Sequence, residues 1–300
     1  MMAGAAAVVH VDLDGARHIS RVHGWPERGD DDPLFDTGLR NALEFFRATG
    51  VRATLFVIAE DVRDPRKLAL LREAARQGHE FASHSLTHRR LDRLAPETLR
   101  REVAESRALI GEALGVEIHG FRAPAFSVNR RVLECVADAG YRYDSSVFPT
   151  RRFAKRTGLS RPARGAYRPL PGRSLLELPM PSPGPLPLPF HPSYSLVLGT
   201  WYFRAGLRVT GAAAGPFVVL FHLTDFADPL AGDRTNGWRG RLFTLSHLTA
   251  AEKRQRCAEM LDRLRARYSI VTTASWLAHH RAGAGEDGGT AAPPTAASRS

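Results

Sequence analysis

The stretch VVHVDLD, residues 8–14, alternates apolar and polar side chains with a period of two. In an extended strand this puts His10, Asp12 and Asp14 on one face and Val9, Val11 and Leu13 on the other. In a barrel the valines pack outward against helices. The carboxylates then point inward at the C-terminal end of the strand, where the active sites of such folds gather. Two carboxylates ~7 Å apart on one face repel each other unless a positive charge sits beside them. A local reading also exists, in which Asp14-Gly15 opens a turn that Asp12 caps.

Outward from this strand the chain keeps a strand–helix rhythm. A helix opens near Asp32-Pro33, runs through LFDTGLRNALEFFRATG and stops at Gly50. VRATLFVIA then reads as a strand, and DPRKLALLREAARQG as an amphipathic helix ended by Gly78. HEFASH is a short strand, and APETLRREVAESRALIGEALG is a long helix with Pro96 in its first turn. EIHGFRAP, NRRVLECVADAG and YRYDSS repeat the order. PFVVLFHL (216–223), SHLTAAEKRQRCAEMLDRLRARYS and IVTTASW close it as strand, helix and strand. Strand, crossover helix and strand predict a parallel sheet, and this many units predict an α/β barrel. The rhythm breaks at about 150–216, a segment dense in Pro, Gly and Arg that reads as an insertion, with LLELPM (175–180) a strand inside it. One domain over 1–281 is expected. The Gly-, Ala-, Ser- and Pro-rich tail at 282–300 is expected to be disordered.

Composition narrows the function classes. The 300 residues, 43% hydrophobic, suffice for one large core. No run reaches the ~18 apolar residues of a membrane span. The N-terminal MMAGAAAVVH lacks a basic leading region and reads as the approach to a strand, not a secretion signal. Cys135 and Cys257 form no paired motif, which fits a reducing cytoplasm. The net charge of +11 could indicate nucleic acid, an anionic membrane surface or an acidic substrate. The basic residues are spread along the chain, however, and only Lys67, Lys155 and Lys253 are lysines. No helix-turn-helix or stacking-aromatic pattern accompanies them, so nucleic acid is not expected as a partner.

FASHSLTHRRL (81–91) carries the second chemical signal. It is either a polar loop rich in histidine or half of a metal site. If helical, His84 and His88 are about 6 Å apart in rise with ~40° of rotation, so both rings face one way. Two neutral imidazoles and one carboxylate of the first strand would make a triad with open positions for a divalent cation. The cation would supply the positive charge that the Asp12/Asp14 face needs. Arg122 in GFRAPAF (120–126) ends a short strand, where it could hold a carboxylate ionised and fix its rotamer. His222 ends the apolar strand FVVLFHL, where a buried ring needs a partner.

Asp-Leu-Asp-Gly, His-Ser-Leu-Thr-His, Arg-Ala-Pro and Leu-Phe-His, in this order, resemble the motifs of polysaccharide deacetylases, the NodB-homology or carbohydrate esterase 4 group. The resemblance runs from about Val8 to Trp276 and implies a distorted, incomplete (β/α) barrel that hydrolyses N-acetyl, N-formyl or other non-peptide C–N bonds. It further implies Asp12 as general base, Asp14, His84 and His88 as metal ligands, Arg122 as the residue orienting Asp12, and His222 as general acid. The ion implied is Zn2+, with Ni2+, Co2+, Mn2+ or Fe2+ as alternatives. The chain departs from the family in three places. Asp-Leu-Asp replaces adjacent aspartates, as in the branch with the deformylase for lipid-linked aminoarabinose. Ala125 stands where an aromatic is usual, which widens one wall. The family's Asp-Trp motif has no clear counterpart, and either Asp144 or Asp225 could support His222.

Two other classes share these residues: an Fe(II) oxygenase using the two-His-one-carboxylate set, and a non-catalytic carbohydrate-binding barrel. The expected substrate is an N-acylated amino sugar, soluble or carrier-linked, with peripheral membrane contact open. Trp25, Phe190, Tyr194, Trp201 and Tyr202 are candidates to wall the open face of the barrel.

Overall fold

A computed structural model describes residues 5–26, 31–159, 163–182, 190–210, 214–231 and 237–286. Seven strands follow one another across a parallel sheet: β6 (Leu176–Glu177), β5 (Tyr143–Asp144), β4 (Gly120–Phe121), β3 (Glu80–Ser83), β2 (Thr54–Val57), β1 (Ala6–Asp12) and β7 (Phe217–His222). An eighth, β8 (Ser269–Val271), pairs with the first residues of β1, ahead of the stretch that β2 occupies. The sheet curls into a half-barrel that stays open between β6 and β7, the incomplete barrel the motifs implied.

Strand parity divides the core in two. Ala7, Val9, Val11 and Leu13 pack outward with Leu55, Val57, Val219 and Phe221 in the layer under the helices. Val8 looks inward with Phe56, Ala82, Tyr143, Leu178, Met180, Val218 and Leu220. His10 and Asp12 share the parity of Val8 and therefore face inside, as the period of two predicts. Gly120 is required by this crowding, since a Cβ there would lie 2.1 Å from Tyr143 Cζ.

The helices form where capping chemistry allows. In α2 (Pro33–Thr49) Asp32 accepts from Phe35 N at 3.2 Å, Pro33 occupies the first turn and Gly50 ends the helix with φ 65°. Asp64 caps α3 (Pro65–Arg76), Pro96 opens α4 (Pro96–Leu114), and Asn129 caps α5 (Arg130–Asp138). A reciprocal Thr249–Glu252 box starts α10 (Ala250–Arg265).

Several expectations change. A helix not read from the sequence, α1 (Ala16–His23), follows β1 directly. The 150–216 stretch is more regular than its composition suggests. It carries α6 (Arg151–Thr157), the barrel strand β6, α7 (Pro192–Leu198) and α8 (Thr200–Val209). Residues 160–162, 183–189 and 211–213 within it lie outside the described residues. After α9 (Gly237–Phe243) and α10, the expected strand IVTTASW is split. Only Ser269–Val271 is extended, and α11 (Thr273–Glu286) begins at Thr273. The Thr273 backbone N–H donates to Glu80 and its hydroxyl contacts Thr54, so the helix start docks into the barrel bottom. Helix α11 runs past residue 281, and residues 287–300 of the expected tail lie outside the described residues. No described helix is long and apolar enough to cross a membrane.

Candidate active site

Arg122 organises the inner floor. It follows β4 directly and is fully buried. Its Nη1 donates to Asp12 Oδ1 at 2.7 Å, its Nη2 to His10 Nδ1 and Ser145 Oγ at 2.8 Å each, and its Nε to Ser145 O at 2.7 Å. The guanidinium lies over the Phe56 ring, 4.1 Å from its centroid. A buried cation is tolerated only when its donors are used, and here they are. Because His10 Nδ1 accepts from Arg122, its Nε2 carries the proton toward Thr273 Oγ1 at 3.1 Å. Burial, reinforced by Arg122, holds the His10 imidazole neutral, well below its ordinary range.

The same residue orients a second group through its backbone. His84 Nδ1 donates to Arg122 O at 2.8 Å, which leaves Nε2 as the bare nitrogen facing the cavity. That nitrogen lies 3.4 Å from Asp14 Oδ1 and 3.8 Å from Asp12 Oδ2, and His88 Nε2 lies 3.2 Å from Asp14 Oδ1. The ligand atoms of Asp14, His84 and His88 all fall within 4.8 Å of one another. Asp14 Oδ1 and both His88 ring nitrogens are buried without a hydrogen-bond partner. Orphaned donors and acceptors this close are costly unless a cation sits among them, so the residues fit the divalent ion that the motifs imply. Burial would raise the Asp14 carboxyl, but the His88 and His84 imidazoles overcome it and hold it well below the usual carboxylate range. Burial lowers His88, whereas in His84 the Asp12 and Asp14 carboxylates outweigh burial and raise it.

His84 and His88 do not meet on a helix. The segment after β3 is a tight loop in which Ser85 and His88 take left-handed φ of 71° and 56°. Such a conformation costs about 1 kcal/mol per residue, and the loop recovers it through side-chain bonds. Ser85 Oγ accepts from His88 N at 3.1 Å, and buried Glu102 of α4 accepts from the backbone of Leu86 and Thr87 and from the Thr87 hydroxyl. The two rings still converge, with centroids 5.0 Å apart. The His18 ring of α1 lies 5.7 Å behind His88 and is itself held by Glu60 at 2.9 Å.

His222 reaches the floor from the neighbouring strand, where it is the register partner of Asp12. Its Nδ1 lies 3.1 Å from Ser193 Oγ on α7. Of the two carboxylates considered as its support, Asp225 is the nearby one. It accepts from the His222 backbone N–H at 2.9 Å, not from the ring. Burial pushes the Asp225 carboxyl up, and His222 and Ser193 pull it part of the way back. Asp144 is engaged elsewhere, hydrogen-bonded by Ser146 and paired with Glu177. Burial, and then that neighbouring carboxylate, push Glu177 well above the usual range, so this pair holds a proton.

Asp12, Asp14, His84, His88, Ser193 and His222 open into one cavity of about 900 Å3. Of the proposed wall aromatics, Tyr194 and Tyr202 line it. Trp25 packs behind it against His23 and Phe243. Trp201 stands outward at 56% exposure, and Phe190 is no wall at all, being 2% exposed in the core and stacked on Phe203. Ala125 lines the cavity as expected, but a left-handed backbone at Ala125 and Phe126 turns the Phe126 ring into the same wall. Sequence reasoning placed His10 on the inner face without giving it a role, and it missed Ser145 and Ser193. For His10 the strand alternation was a sufficient signal; for the two serines there was none.

Comparison with known proteins bears on the family and on the fold. Residues 30–143 match the polysaccharide deacetylase family model, which bears out the family likeness over β2 to β5. β1 with Asp12, Asp14 just after it, and β7 with His222 lie outside the matched residues. A bifunctional xylanase/deacetylase of Pseudobutyrivibrio xylanivorans is 27% identical over 105 residues, 35% of this chain and 17% of that protein's length. A structure from Mycobacterium smegmatis, provisionally assigned as a polysaccharide deacetylase, superposes with a TM-score of 0.63. The two chains are 21% identical, and the match covers 100% of this chain and 96% of the other. The PuuE allantoinase shares the fold with a TM-score of 0.58 at 14% identity, covering 92% of this chain and 90% of the other.

Proposed function

We propose that this protein is a metal-dependent hydrolase that removes an N-acyl group, acetyl first and formyl second, from an amino sugar or a related amine. One observation carries the reading: ligand atoms of Asp14, His84 and His88 converge, with Asp14 Oδ1 and the His88 ring nitrogens lacking hydrogen-bond partners, beside a carboxylate, Asp12, that a buried arginine locks in place. A divalent cation held by Asp14, His84 and His88 would supply Lewis-acid polarisation of the acyl carbonyl.

Asp12 is the general base. Arg122 fixes its rotamer, so it can take a proton from the water that attacks the acyl carbon. His222, one strand away at the same level, donates a proton to the departing nitrogen, which leaves as an amine and not as an amide anion. Ser193 holds the His222 ring by its far nitrogen, the part that an aspartate plays in the family pattern. The products are a carboxylic acid and a free amine, with one water consumed. The free thiols Cys135 and Cys257 support a reducing compartment for this chemistry.

The oxygenase reading uses the same three ligands but gives no task to the Arg122-held base or to the acid on β7. The experiment is a panel of N-acetyl and N-formyl amino sugars assayed for released acetate or formate, with and without oxygen. Release that persists anaerobically and stops with a chelator is expected. Release that needs oxygen, or none from any member, overturns the reading.

A further inference from the structure

Among the described residues, nine large hydrophobic side chains are exposed, and six of them line the cavity above the candidate site: Tyr194, Val197, Leu198, Trp238, Leu242 and Phe243. They come from one face of α7 and from α9, and Trp238 is 72% exposed. Isolated exposed apolar residues are ordinary, but a contiguous patch that continues into a polar pocket marks a binding surface. Ile19, Val22 and Leu245 extend the same lining inward.

The chemistry of this wall selects its occupant. Sugar hydroxyls need donors and acceptors along their path, and burying them against Val197, Leu198 and Leu242 would leave them unpaired, which is unfavourable. The polar groups of the cavity concentrate at its floor, and Arg239 on the rim lies over the Trp238 ring, 5.4 Å from its centroid. A protein partner or a second copy seated on the patch would close the cavity through which any substrate must reach Asp12. An apolar chain belonging to the substrate satisfies both conditions.

We infer that the substrate is an amphiphile, with its N-acylated head at the floor and an alkyl or prenyl chain along α7 and α9. This rests on the hydrolase reading for the identity of the head, but the chain can be tested without turnover. Calorimetry on the full-length protein would compare methyl and octyl 2-acetamido-2-deoxy-β-D-glucopyranoside, the latter below its micelle concentration. Each fully buried methylene is worth about fourfold in affinity, so partial burial of the longer chain should tighten binding by about 100-fold. Val197→Asp and Leu242→Asp should each remove most of that gain. Both positions are exposed, and an unchanged thermal melt would show that the fold is intact.

Equal affinity for the two glycosides overturns the inference even if both are deacylated, and the hydrolase reading then stands. Selective octyl binding without hydrolysis of either leaves the inference standing, and the hydrolase reading falls only if no member of the N-acyl panel releases its acid either. A methyl chito-oligosaccharide that gains affinity where the octyl chain does not would make the rim a sugar platform. A tight dimer that excludes the octyl glycoside would make it a subunit interface. Either result also overturns the inference.

Discussion

At the floor of the cavity, Arg122 is fully buried and donates to Asp12, His10 and Ser145, while its own carbonyl fixes His84. At the rim, Leu198 and Phe243 are about half exposed, at 47% and 48%, and contribute only apolar surface. The floor stands at the C-terminal ends of adjacent parallel strands, which the sheet register places to within a residue. The rim stands on two short helices outside the sheet. A reaction that depends on proton transfer needs the first kind of support, because small displacements there change rates steeply. Recognition of an apolar chain tolerates the second kind, since hydrophobic contact is non-directional. Chemistry and specificity are thus assigned to different parts of the fold.

Substitutions at the floor should break that division most visibly. Asp12→Asn keeps the size of the side chain and lies outside the proposed ligand set. Turnover should fall by about 1,000-fold or more, while metal content stays at the wild-type level. Activity close to wild type would remove Asp12 as the base. Arg122→Met should cost about 3–5 kcal/mol of folding stability, because Asp12 would be left charged and buried. Denaturant melts would measure the loss, and an unchanged midpoint would mean that the buried pair matters less than its geometry suggests.

Ser193→Ala tests where floor and rim meet, since Ser193 sits on α7 but holds the ring of His222. A fall in kcat of about tenfold is expected, with little change in KM and a displaced acidic-to-basic balance in the pH–rate profile. A loss confined to KM would make Ser193 part of the wall instead. The smallest effect concerns the pair under Arg122. Glu177 binds its proton more tightly folded than unfolded, so its own contribution to stability is greatest at low pH and falls as pH rises from the unfolded value through the elevated folded one. Glu177→Gln should flatten that decline. Thermal melts from pH 5 upward would check it, and identical profiles would show that the pair does not titrate in that window.

The floor was largely legible in the sequence because strand parity is local. The alternation of VVHVDLD alone places His10, Asp12 and Asp14 on one side, and Leu-Phe-His puts His222 at the C-terminal end of an apolar strand, which the structure sets beside β1. The His84/His88 pairing was legible as a pair but not as a conformation. Left-handed Ser85 and His88 depend on Glu102, brought in from another helix. The rim was barely legible. Pro- and Gly-dense composition between 150 and 216 hides three helices, although its strand was legible in LLELPM, and nothing local distinguishes buried Phe190 from exposed Trp201. Ser193 and Ser145 act only through tertiary contacts. The choice between Asp144 and Asp225 likewise turned on Glu177, which claims Asp144 from the adjacent strand β6, an element 33 residues further along the chain.

The most direct test is elemental analysis of the purified protein and of its Asp14→Ala and His88→Ala variants. One divalent ion per chain in the wild type, lost from both variants while their folds persist, is the result expected. A wild-type protein that takes up no stoichiometric ion, or variants that keep it, would contradict the proposed centre.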